Sequence, residues 1–153
     1  MARLDMTPSS TATASGGRLR ALAAAPAARW FCLLLLCSAY LQGGINKLTD
    51  FAGAVGEMQH FGLTPAAPLA LAVIVGELGA SALILSGFYR WLGACGLALF
   101  TVMATLLANR FWEMSGMERF MAANSFFEHL GLAGAFLLVA WHDLQAPAPA
   151  ARR

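Results

Sequence analysis

Charged residues are scarce in this chain. Lys and Arg number 10 and Asp and Glu 8 among 153 residues, a charged fraction of 12%; soluble domains carry about 25%. The hydrophobic fraction is 59% and the mean hydropathy +0.64, more apolar surface than a water-soluble monomer of 16.2 kDa can hide. The net charge of +2 excludes nucleic acid as a partner, because polyanions are held by dense cationic patches. Cysteine is sparse as well. Cys32 and Cys37 are five residues apart, about 140° around a helix, so they cannot bridge within it, and Cys95 lies far along the chain. The composition excludes a disulfide-stapled secreted module, and with no C-x-x-C and all three thiols in apolar surroundings an internal thiol relay is not expected. His60, His129 and His142 are too scattered to share a metal. There is no phosphate-cradling glycine loop, no Ser-His-Asp set and no paired intramembrane histidine for haem. No metal site and no covalently bound cofactor are expected.

What the chain does have is long apolar runs. Four of them, at about 29–48, 67–88, 91–109 and 123–141, are long enough to cross a hydrocarbon layer of about 30 Å at 1.5 Å per residue. The fourth crosses only if Asn124, Ser125, Glu128 and His129 are part of it, since Leu130 to Trp141 alone is too short. Trp30, Trp91, Trp112 and Trp141 all fall at predicted helix ends, where an amphipathic ring prefers the headgroup layer. The expected fold class is therefore all-α, an integral membrane four-helix bundle. Residues 1–28 read as a flexible cytoplasmic tail, 29–143 as the membrane domain and 144–153 as a second cytoplasmic tail. No convincing cleavage site follows WFCLLLLCSAYL, so the first helix is expected to be retained. Arg18, Arg20, Arg29, Arg90, Arg152 and Arg153 flank one side, against Lys47, Arg110 and Arg119 on the other. The positive-inside rule then puts both termini in the cytoplasm.

Two connections lie on the opposite, outer side. In the first, Phe51, Val55, Met58 and Phe61 recur near a helical period, which predicts a short helix lying on the bilayer surface. In the second, Phe111, Trp112, Met114, Met117, Phe120 and Met121 give a similarly apolar segment. Both read as lipid anchors, with a lid over a pocket as the alternative.

Inside a bilayer an unpaired polar side chain is costly, so each should face protein. Read at helical steps, the first span places Ser38, Gln42 and Asn46 on one face with Lys47 beside it. The second places Val73, Glu77, Ala80, Ser81 and Ile84 together, the third Ala94, Ala98, Thr101, Thr105 and Asn109, and the fourth Asn124, Glu128, Gly131 and Ala135. Such stripes serve either as packing surfaces or as the walls of a polar pocket. The pocket candidates are Gln42, Asn46, Lys47, Glu77, Thr105, Asn109, Asn124 and Glu128. Glu77 stands out, because an isolated acid at membrane depth costs about 2.5–3.5 kcal/mol on insertion scales. Helical side chains lean toward their own N-terminus, so Lys47, on a helix running outward, and Glu77, on one running inward, approach each other. A Lys47–Glu77 pair is predicted, with Glu128 sharing the lysine.

These residues in this order resemble a known family. Arg29 with an apolar run into GGINKLTDF, a loop ending HFGLTP, then VGELGASALILSGFYRW and later ANSFFEHLGLAGAFLLVAW are similar to the DoxX family of small bacterial membrane proteins, over about residues 29–143. WHDLQAP stands where members often have a glycine-rich stretch before Ser-Leu-Asp. The resemblance implies four transmembrane helices in the bacterial inner membrane, and matches Asn46, Lys47 and Glu77 to characteristic polar positions. It also implies redox physiology: a membrane component of a quinone-linked or oxidoreductase-complex system, with a quinone as possible ligand and a redox protein as partner. Glu77 would then move a proton and Lys47 stabilise a developing anion. The alternative is a non-enzymatic small permease or accessory scaffold, completed by a second copy of the chain.

Overall fold

The computed structural model describes Ala21 and residues 24–145. The two expected tails therefore lie almost wholly outside the described residues. The chain divides into a unit ending at Leu35 and a unit running from Leu36 onward. Helix α1, Pro26–Thr49, begins in the first unit, where Trp30 and Phe31 are exposed, and continues into the second. The second unit adds α2 (Phe51–His60), α3 (Ala66–Ser86), α4 (Arg90–Ala108), a 3-10 turn at Phe111–Glu113 and α5 (Gly116–Gln145). Among the described residues there is no strand. Four of the described helices are long and apolar enough to cross a membrane, which fits an all-α membrane bundle.

Local chemistry sets the helix ends. Asp50 follows α1 and caps α2, its Oδ1 accepting from the Gly53 N–H at 2.9 Å, which satisfies a donor that the first turn leaves free. Pro65 precedes α3 in an extended conformation, where its missing N–H costs nothing. Gly87 ends α3 at φ 81°, its N–H returning to the Leu83 carbonyl, the left-handed stop that glycine adopts without strain. α5 begins at Gly116, well before the expected start near residue 123. The Met, Glu, Arg and Phe residues of that segment are adequate helix formers, and Glu118 lies in the positively polarised first turn. At 30 residues and about 1.5 Å each, α5 exceeds the hydrocarbon thickness and extends past it.

α2 does not simply anchor to lipid. Ala54 and Met58 bury against Ala70 of α3, with Val55, Leu63, Ala66, Leu69 and Val73 around them. Phe51 remains exposed. α3 packs on α4 and α4 on α5. The α3–α4 approach depends on Gly93, where an added Cβ would lie 2.6 Å from the Ala80 carbonyl oxygen. Within the second unit, Tyr40 of α1 stands edge-on to Phe136 of α5 at 5.3 Å, and its hydroxyl bonds to Thr101 of α4.

At the far end of this unit, Arg90 forms a clasp. Its Nε donates to the Ile84 carbonyl at 2.9 Å and its Nη1 pairs with Asp143 at 3.4 Å. The other Asp143 oxygen accepts the Trp91 N–H at 3.0 Å. One carboxylate on α5 thus caps the start of α4.

Candidate functional site

Glu77 lies on the buried seam of α3, with Ala70, Ile74, Ser81 and Ile84. The residue is 5% exposed. Its Oε1 is 3.5 Å from Lys47 Nζ, so the lysine of α1 and the acid of α3 meet as the opposed lean of their side chains predicts. Oε2 has no hydrogen-bond partner although it is buried. Ser81 sits one turn on, and its hydroxyl is occupied by the Glu77 backbone carbonyl at 2.7 Å. Gly43 leaves room beside the pair: a Cβ there would stand 3.6 Å from both Glu77 Oε2 and Lys47 Nζ.

Lys47 has a second carboxylate within reach. Glu57 of α2 approaches its Nζ at 3.9 Å. Asn46, Lys47, Thr49, Asp50, Gly53, Ala54 and Glu57 line an open hollow of ≈ 380 Å³ between the end of α1 and α2. Side-chain exposure falls from 46% at Glu57 to 19% at Lys47 and 6% at Glu77. The three groups therefore descend from the hollow into the protein.

The other expected pocket residues are dispersed. Thr105 is buried on α4 and accepts from Asn109 Nδ2 at 3.1 Å, one turn apart on the same helix. Asn46 is exposed but borders the hollow. Gln42, Asn124 and Glu128 are exposed, and Glu57 takes the place expected of Glu128. Helical geometry explains the correction. The inward seam of α1 in the second unit is Cys37, Tyr40 and Gly44, and Gln42 and Asn46 each follow a seam residue by two positions, about 200° around. On α5 the seam is Ala133, Phe136 and Ala140; Glu128 lies about 140° and Asn124 about 180° from Ala133. On both helices the close-packing seam is built of small and aromatic residues, and the polar stripe faces away from it. On α4 the expected stripe is the packed one: Ala94, Ala98, Thr101 and Thr105 are all buried.

Sequence reasoning missed Glu57, Gly43 and Asp143. A signal existed for the first. Asp50 followed by FAGAVGEM reads as a capped helix turning back over the end of α1, which returns Glu57 to the neighbourhood of Lys47. Nothing local marks Gly43 or Asp143, whose partners come from other helices. Among the described residues no group of His, Cys, Asp and Glu is arranged to hold a metal.

Comparison with known proteins agrees with this architecture. Inner membrane protein YphA of Escherichia coli (strain K12) is 29% identical over 97 residues, covering 63% of this chain and 69% of that protein. No solved structure matches significantly. The DoxX family model matches residues 31–110, a segment that contains α2, α3, α4, Lys47, Glu57 and Glu77. That match covers just over half of the chain, and the protein belongs to the DoxX family.

Proposed function

We propose that this protein is a multi-pass component of the bacterial inner membrane, with both termini cytoplasmic, that serves a redox system by handling a proton at the head group of a quinone. The observation that carries the reading is the unpartnered, buried Oε2 of Glu77 beside Lys47. A buried polar atom without a partner costs about 1–3 kcal/mol or more, so its retention calls for a use. The residues fit a quinone head group: the hollow is of suitable size and has Asn46 and Lys47 on its wall, and the gap at Gly43 borders the acid.

A quinone supplies a carrier of two electrons and two protons, the electrons exchanging with a redox partner protein. The chain's own part is acid–base and electrostatic. The Lys47 ammonium would favour a partly negative head-group oxygen held in the hollow, and Glu77 Oε2 would hold or release a proton. Burial strengthens both effects by excluding water.

The test is binding of a quinone analogue to the purified protein, followed by fluorescence quenching of native tryptophan. Saturable binding that weakens at least tenfold in Lys47→Met supports the reading; no saturable binding to the wild type refutes it. A second reading, an accessory scaffold or one half of a permease, is favoured by the exposed Gln42, Asn124 and Glu128, which a partner or second copy would cover. It predicts co-purification in a defined complex that Gln42→Leu disrupts.

A further inference from the structure

The Lys47–Glu77 pair is unsymmetrical in a way that the proposed function does not use. Lys47 is the one cation between two carboxylates, at 3.5 Å from Glu77 on α3 and 3.9 Å from Glu57 on α2. With both acids ionised the triad carries a net negative charge, and its cost falls on the buried Glu77, whose Oε2 has no donor, rather than on the half-exposed Glu57. A single proton on that oxygen removes the imbalance. It leaves a neutral buried acid and a neutral Lys47–Glu57 ion pair at the edge of the hollow.

We propose that Glu77 Oε2 is a proton-binding site and that Lys47 is its movable counter-ion, with Glu57 as the lysine's second seat. The step balances simply: one proton from the aqueous phase adds to Oε2, and the Lys47 ammonium, keeping its own protons, shifts from Glu77 toward Glu57. A lysine stem of four methylenes spans the difference by rotamer change alone. Gly43 flanks the pair, since a Cβ there would touch Lys47 Nζ and Glu77 Oε2 at 3.6 Å, an ordinary contact, and a side chain longer than alanine would extend beside both groups. Glu57 rides on α2, whose Ala54 and Met58 are packed on α3, so the seat is fixed relative to the acid. Protonation at Glu77 would thereby be felt as a redistribution of charge along the wall of the hollow.

Among the described residues no further charged group acts on Glu77. The groups acting electrostatically on Glu77 are Lys47 from α1 and Glu57 from α2. Tyr40 of α1 is engaged by Thr101. Asp50 is tied to the Gly53 N–H. From α4 the buried polar groups are the hydroxyls of Thr101 and Thr105. On α5 the buried positions are Ala133, Phe136 and Ala140, and His129 bonds to the Ser125 carbonyl.

Dicyclohexylcarbodiimide tests this on the full chain in proteoliposomes, since it modifies a membrane carboxyl only in the protonated form. Labelling is located by mass spectrometry of peptides. Wild-type protein is expected to label at Glu77, faster as pH falls from 8 to 6. In Glu57→Gln the lysine has only Glu77 to pair with, and labelling at a given pH should slow by about threefold to tenfold. In Lys47→Met it should accelerate. Absence of label at Glu77 over this range, or equal rates in wild type and Glu57→Gln, overturns the proposal. Glu57 is half-exposed, so its substitution leaves the packed seams untouched, and a monodisperse gel-filtration peak confirms folding. The inference shares its residues with the quinone reading but not its ligand: labelling needs no quinone. A protein that binds no analogue yet shows the Glu57→Gln slowing sinks only the first, and the reverse result sinks only the second.

Discussion

Glu77 and Lys47 depend on each other because neither is solvated well enough to stand alone. Breaking such a pair from one side leaves an uncompensated charge, whereas replacing both members by apolar groups removes the desolvation cost with the attraction. Lys47→Met is therefore expected to destabilise the protein by about 1–3 kcal/mol, less than a fixed buried charge would cost, because Glu77 takes up a proton in its place. The double variant Lys47→Met with Glu77→Leu should recover most of that loss. A double-mutant cycle of unfolding in detergent reads the coupling; additive losses would mean that the two side chains do not interact. The pairing was legible in the sequence, since an intramembrane acid and a lysine on oppositely directed helices lean toward each other. Glu57 as third member was not, because a short connecting helix contributes it and its orientation depends on how Ala54 and Met58 dock.

Among the elements, α3 and α4 show how little a glycine in the sequence says about its use. Gly76 and Gly93 both lie inside membrane helices. A Cβ at Gly76 meets nothing within 4 Å, while at Gly93 it would run into the Ala80 carbonyl and the Leu83 and Ile84 side chains. Gly76→Ala should be neutral or stabilising by up to about 1 kcal/mol through helix propensity. Gly93→Ala must push α4 away from α3 and should cost about 1–3 kcal/mol. Thermal unfolding in the same detergent distinguishes them, and equal midpoints would remove Gly93 from the packing account. Element type and approximate position were readable from apolar run length, caps and tryptophans. The inward face was readable only where the small and polar residues coincide with the packing seam, as on α3 and α4. On α1 and α5, Tyr40 and Phe136 interlock instead, and the polar stripes are displaced outward.

For the whole molecule, if the four candidate spans among the described residues all cross, the α1–α2 and α4–α5 connections lie on one side of the membrane and the α3–α4 turn on the other. The cytoplasmic termini proposed above would put the second side in the cytoplasm. In a variant lacking Cys32, Cys37 and Cys95, cysteines introduced as Thr64→Cys and Ser115→Cys should react with an impermeant maleimide in intact spheroplasts. Phe88→Cys should react only after permeabilisation. The opposite pattern would invert the topology and turn the hollow beside Lys47 toward the cytoplasm.

The sequence by itself determined the solvent in which this protein folds, the number of its membrane helices and the residues that must find partners there. Hydrophobic length and the cost of an unpaired acid are local quantities that any reader of the chain can assess. Which oxygen of Glu77 stays unpaired, that Glu57 rather than Glu128 completes the triad, and that Asp143 caps a helix more than fifty positions away were decided by tertiary structure. Each depends on the rotation of one helix about its axis, and that angle is set by steric fit between seams contributed by different parts of the chain.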